Sequence, residues 1–188
     1  MTTFVIALLV VAGILALIFF WYIGTYNKLV HLKALIDEAW SGIDVQLKRR
    51  YDLIPNLVAT VKQYATHEKD IFDNVARMRA ASMNATGIEQ KAEAEKGLSS
   101  ALRTLFAVAE NYPDLKANAN FLSLQKELSN LEHEIQLSRR YYNGTARNYN
   151  VLVRSFPSRI VASFSGFESV SYFELNSSAE RENPRVQF

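Results

Sequence analysis

The sequence predicts an all-α protein, with an N-terminal transmembrane helix followed by an antiparallel up-and-down four-helix bundle. Three observations predict it. The stretch Phe4–Ile23 is apolar but for Gly13, and the first charged side chain is Lys28. Beyond it, apolar residues recur in steps of three and four, the spacing of one helical face. The 188 residues include only 7 Gly and 4 Pro, too few for a chain of short strands that turns every ten residues or so.

The first element is the anchor. At about 1.5 Å per residue its twenty residues span roughly 30 Å, the thickness of a bilayer's hydrocarbon core. Phe4, Phe19 and Phe20 lie within the run, and Trp21 and Tyr22 close it where interfacial aromatics sit. A cleaved signal peptide fits poorly: there is no basic leading segment, the apolar stretch is too long, and no Ala-x-Ala site precedes Thr25. Met1–Thr3 carries no Lys or Arg, whereas Lys28 and Lys33 follow the span closely. By the positive-inside rule the N-terminus is outside and the domain cytoplasmic, in an inner or plasma membrane. The expected division is residues 1–24 for tail and anchor, 25–157 for the bundle and 158–188 for an irregular C-terminal cap and tail.

In the first bundle helix Leu29, Leu32, Ile36, Trp40, Ile43 and Leu47 form one stripe. Asp52 is suited to cap a second helix with Pro55 in its first turn, so a break near 50–53 is preferred. The alternative is one long helix kinked at Pro55. Asn84-Ala85-Thr86-Gly87 is a stop signal, with Gly87 suited to the residue after the C-cap. Ile88–Glu110 reads as the next helix, and Asn111-Tyr112-Pro113-Asp114 ends it. From Phe121 to Phe156 the steps of three and four persist as a sustained heptad, a coiled-coil-like pattern that Pro157 terminates. Residues 158–188 read as an irregular cap with an apolar patch, then a polar tail.

The last long helix repeats Arg-x-aromatic every seven residues, placing Arg140, Arg147 and Arg154 on a stripe beside Tyr142, Tyr149 and Phe156. Asp37 and Asp44, also seven apart, lie on the helix expected alongside, so the arginines read first as a structural seam. Anionic lipid headgroups are the second candidate. Nucleic acid is set aside, since a formal net charge of +2 gives no bulk attraction. Tyr26-Asn27-x-Leu29-Val30 and Tyr149-Asn150-x-Leu152-Val153 echo each other and are positioned to meet in antiparallel helices.

Catalytic signals are poor. His31, His67 and His133 are far apart, and no zincin pair, nucleophile elbow or phosphate-cradling loop occurs. With no cysteine there is no disulfide and no thiolate metal site. No catalytic, cofactor-binding or metal-binding residue is expected, and the protein reads as a non-enzyme. Lys91, Glu93, Glu95 and Lys96 read as a solvated face. Sequons at Asn84, Asn143 and Asn176 are at chance level.

The stretch Glu38-Ala39-Trp40-Ser41-x-Ile43-Asp44-Val45-Gln46-Leu47-Lys48-Arg49-Arg50 continues directly into Tyr51-Asp52-Leu53-Ile54-Pro55-Asn56-Leu57-Val58. With Ala146-Arg147-Asn148-Tyr149-Asn150, Phe156-Pro157 and Gly166-Phe167, these residues make the chain resemble the LemA family over essentially its whole length. The resemblance implies a membrane-anchored antiparallel four-helix bundle with its short N-terminal tail outside, and supplies no catalytic residue. Loose family association suggests an accessory subunit of a membrane zinc peptidase. The Asp44–Val58 block, with Arg49 and Arg50, reads as the turn that caps the bundle or as a docking surface. The function expected is a scaffold or adaptor that self-assembles or docks another membrane protein. The alternative is an anionic-lipid-binding, membrane-shaping protein that uses the Arg/Tyr stripe or the apolar Ile160–Phe173 region.

Overall fold

The computed structural model of the protein describes residues 1–174. These form α1 (Thr2–Lys62), α2 (Lys69–Asn84), α3 (Ile88–Ala109), α4 (Pro113–Lys116), α5 (Ala119–Arg154) and α6 (Ser158–Phe164). Among the described residues every regular element is helical. The polar tail and the Asn176 sequon lie outside them.

The break expected near 50–53 is absent, and α1 runs unbroken through Pro55 for 61 residues. A proline inside a helix has no N–H to bond the carbonyl four residues earlier, which here belongs to Tyr51. That carbonyl has another donor: Arg79 Nε of α2 bonds Tyr51 O at 2.7 Å. The helix therefore keeps its carbonyl satisfied and need not stop at Asp52, which stays exposed inside it.

The chain divides into two compact units, and α1 and α5 contribute to both. The first comprises Met1–Trp40 and Tyr141–Val170. Its core takes Leu29, Ile36 and Ala39 from α1, Tyr142, Ala146 and Tyr149 from α5, and Val161 and Ala162 from α6, all buried. Trp40 meets Tyr142 edge-to-face at 5.7 Å between ring centroids, and Tyr26 meets Phe167 at 5.6 Å. The buried Asn150 amide holds the segment after α6: its Nδ2 donates to Val170 O at 2.8 Å, and its Oδ1 accepts from Val170 N at 2.9 Å. The expected irregular cap thus contains the helix α6. Its N-terminal Ser158 donates to Leu152 O at 2.6 Å, satisfying a carbonyl at the end of α5.

The second unit comprises Ser41–Arg140 with the described residues of Ser171–Phe188. Within it α2 packs on α3, so closely that a Cβ built on Gly97 would lie 3.1 Å from Met78 Sδ. Gly87 does not follow a C-cap as expected. It stands at the N-cap of α3 with φ +81°, a conformation open to glycine at little steric cost. Asn118 Oδ1 accepts from Phe121 N at 3.0 Å, capping the start of α5. Ile43, Leu47, Leu57, Leu98, Leu105 and Leu128 fill the core between these elements.

Candidate functional site

The feature that apolar packing does not explain is a charge network inside the second unit. On α1 the buried stripe Ile43, Leu47, Ile54, Leu57 has one polar member in step, Arg50, only 2% exposed. On α3 the stripe Leu98, Leu102, Leu105 extends backwards in the same steps to Glu95, 2% exposed, and Lys91. Helical periodicity therefore aims all three side chains inward.

Arg50 Nη1 bonds Glu95 Oε2 at 3.0 Å. Its Nη2 reaches Ser99 Oγ at 2.9 Å and Glu132 Oε1 at 2.9 Å. The Tyr51 hydroxyl donates to the other Glu95 oxygen. Lys91 Nζ donates to Ser82 O at 3.2 Å, lies 4.0 Å from Asp44 Oδ1, and sits 5.7 Å from the Tyr51 ring centroid. The Arg139 guanidinium lies 5.3 Å from the Phe173 ring centroid, a cation–π contact. The Nε atoms of Arg50 and Arg139 are buried with no hydrogen-bond partner.

Burial pushes the Tyr51 phenol far up, and the bond to Glu95 pushes it the same way. Burial also raises the Glu132 carboxyl, with Arg50 pulling against it. It lowers Arg139, with Glu132 and Glu95 opposing. Two arginines thus face two carboxylates along a cleft of about 380 Å³ that Ser99, Gln136 and Phe173 also line. The cleft offers buried N–H donors and paired charge. Among the described residues no group of three His, Asp or Glu is placed to hold a metal ion.

Sequence reasoning assigned Lys91 and Glu95 to a solvated face, and the structure corrects this: both are buried. Glu132 carries no sequence signal of its own, Arg139 stands out only as one end of an acid-free run of arginines, and Phe173 only as a member of the apolar patch after Pro157. The signal that finds Lys91 and Glu95 is register, because both stand on the stripe of Leu98 and Leu102. The nominated pair Arg49 and Arg50 splits. Arg49 is exposed and reaches only Gln46 Oε1 at 3.5 Å, while Arg50 enters the core.

The heptad of arginines also differs from expectation. Arg140, Arg147 and Arg154 are exposed, whereas Tyr142 and Tyr149 of the neighbouring stripe are buried and Phe156 is exposed. Desolvation, with Asp37 adding to it, pushes the Tyr142 phenol up to about 12 and raises Tyr149. The acids expected opposite have other partners: Asp37 pairs with Lys33 at 3.3 Å, and Asp44 with Lys91. Arg154 Nε donates to Ser169 Oγ at 2.9 Å. Lys28, from the first Tyr-Asn-x-Leu-Val segment, and Val151 and Leu152, from the second, line one cleft, which joins the two echoes. The anchor residues Phe4, Phe19, Phe20, Trp21 and Tyr22 are all exposed along α1, and α1 contains the one described segment long and apolar enough to cross a membrane.

Fold and site together define a helical protein with a bilayer-length apolar segment and a charged lock in its core. The model of the LemA family matches residues 39–188, and the chain belongs to that family. It is 26% identical over 174 residues to the magnetosome protein MamQ of Magnetospirillum gryphiswaldense, covering 79% of this chain and 64% of that one. Protein LemA of Metamycoplasma hominis is 27% identical over 167 residues, covering 86% of this chain and 74% of that one. The chain thus spans less than two thirds of the magnetosome relative's length.

Proposed function

We propose that the protein is a non-enzymatic, single-pass membrane scaffold: an antiparallel four-helix bundle built from α1, α2, α3 and α5 and held at the bilayer surface. The observation that carries this reading is the 61-residue continuity of α1. One unbroken helix carries the chain from the apolar segment into the buried core, with no flexible linker between Thr2 and Lys62. The opposite chain order of the contacts Trp40–Tyr142 and Tyr26–Phe167 supports antiparallel pairing of α1 with the α5–α6 arm. The Arg50–Glu95 pair, buried and joined by the part-exposed Glu132, then acts as a register device for the helices that carry it. A scaffold of this kind works by self-assembly or by docking another membrane protein. Crosslinking of the full-length protein in native membranes, followed by mass determination, tests it: discrete homo-oligomers or one defined heteromeric adduct are expected. A strictly monomeric protein that crosslinks to nothing overturns it.

Anionic-lipid binding is a second reading, favoured by one observation. Arg140, Arg147 and Arg154 are exposed, and no acid occurs between Glu134 and Glu168. Salt-sensitive retention on anionic vesicles, absent on neutral ones, distinguishes it from an adaptor indifferent to lipid charge.

A further inference from the structure

We infer that the corner between α5 and α6 is a second membrane contact, its apolar side chains seated in the interfacial zone of the leaflet from which α1 emerges. The inference rests on the reading of residues 4–23 as a membrane span. Phe156 and Phe164 are 84% and 83% exposed, and Ile160 is 46% exposed. These three stand four residues apart in sequence, and Ile160 and Phe164 share one face of α6. The opposite face is buried through Ser158, Val161 and Ala162. A short helix that leaves Ile160 and the almost fully bare Phe164 exposed beside an equally bare Phe156 forms an apolar patch that water does not satisfy.

The lipid is identified as the occupant by position. Ser165, next to Phe164, has its Oγ 3.0 Å from the hydroxyl of Tyr22. Tyr22 is in turn the aromatic that closes the apolar run, at the depth where interfacial Tyr and Trp side chains reside. Tyr26, one turn further along α1, packs on Phe167. The bare face of α6 is therefore held at the level at which the span leaves the bilayer, and it continues the lipid-facing surface of α1. Arg154 and Arg159, both exposed, flank the corner as cations suited to headgroup phosphates.

The absence of cysteine from the chain allows a clean test by single-site spin labelling of the full-length protein. Phe156→Cys, Ile160→Cys and Phe164→Cys are labelled with a nitroxide and reconstituted in phosphatidylcholine vesicles containing phosphatidylglycerol. Leu15→Cys reports on the span. Glu38→Cys, roughly 24 Å further along α1 than Tyr22 at 1.5 Å per residue, reports on the aqueous side. Collision with oxygen is compared with collision with a water-soluble nickel chelate. The expected ratio at all three corner sites is several-fold above that at Glu38 and below that at Leu15. If the corner sites match Glu38 while Leu15 is lipid-embedded, the second contact is wrong and the span stands. If Leu15 itself is aqueous, the span reading fails and carries this inference with it. If the corner labels are shielded from both reagents and broadened by spin–spin coupling between copies, the face is a protein interface and the inference is overturned.

Discussion

At the scale of single residues, the core of the second unit turns on Arg50. A buried ion pair recovers its desolvation only through good geometry and further hydrogen bonds; Arg50 bonds Glu95, Ser99 and Glu132 through Nη1 and Nη2, while its Nε stays without a partner. Removing Arg50 leaves the buried Glu95 carboxylate without its cation, and removing Glu95 leaves the buried Arg50 with only the more exposed Glu132 as counter-charge. Arg50→Met is therefore expected to destabilise the protein by about 3 to 5 kcal/mol, and Glu95→Leu by a similar amount. The double variant Arg50→Met/Glu95→Leu is expected to lose far less than the sum, since no orphan charge remains between them. Urea unfolding in mild detergent, followed by circular dichroism, measures the coupling, and additive losses would show that the pair does not act as a unit. Tyr142 makes a different prediction. Its phenol is raised by burial to about 12, from about 10 in the unfolded chain. A raised folded value means that the contribution is complete below the unfolded value and is lost as pH climbs through the folded one. Stability should fall between about pH 10 and about pH 12, and Tyr142→Phe should remove that part of the alkaline decline in thermal melts.

At the scale of elements, helix boundaries follow local chemistry except where a distant side chain intervenes. The stop signals at Asn84–Gly87, Asn111–Asp114 and Pro157 coincide with the ends of α2, α3 and α5 at Asn84, Ala109 and Arg154. These breaks were legible because glycine and proline act through their own backbone. Pro55 misleads by the same logic, since what decides its effect is Arg79, contributed by another helix. The short α6 was missed because its apolar face is bare and gives no clear two-sided pattern. Glu95 and Lys91 mislead because their charge points to solvent, although their spacing from Leu98 sets them on the buried stripe. The Pro55 account can be measured. Arg79→Ala strands a part-buried carbonyl and is expected to cost about 1 to 3 kcal/mol. In a Pro55→Ala background residue 55 regains an N–H for Tyr51 O, so the cost of losing Arg79 should drop by about half or more. An Arg79→Ala cost that is unchanged by Pro55→Ala would refute the substitution of one donor for the other.

At the scale of the whole molecule, topology depends on few charges. Residues 1–27 contain none, and Lys28 and Lys33 are the first cations. Lys33 spends part of its field on Asp37 at 3.3 Å, but acidic residues count little in the positive-inside rule, so both lysines bear on orientation. With the N-terminus outside, a cysteine introduced as Thr2→Cys in the full-length protein should react in intact cells with a membrane-impermeant maleimide. Ser41→Cys, on an exposed position of α1, should react only after permeabilisation. Moving the charge should move the protein: Lys28→Gln/Lys33→Gln combined with Thr2→Lys/Thr3→Lys should give a population in which the two labelling patterns exchange. The exchange is expected to be partial, because long domains translocate with little regard to flanking charge and the arginines of α5 and α6 stay where they are. If Ser41→Cys is labelled in intact cells without any charge change, the domain lies outside. The exposed stripe of Arg140, Arg147 and Arg154 would then lie on the outer side of the membrane.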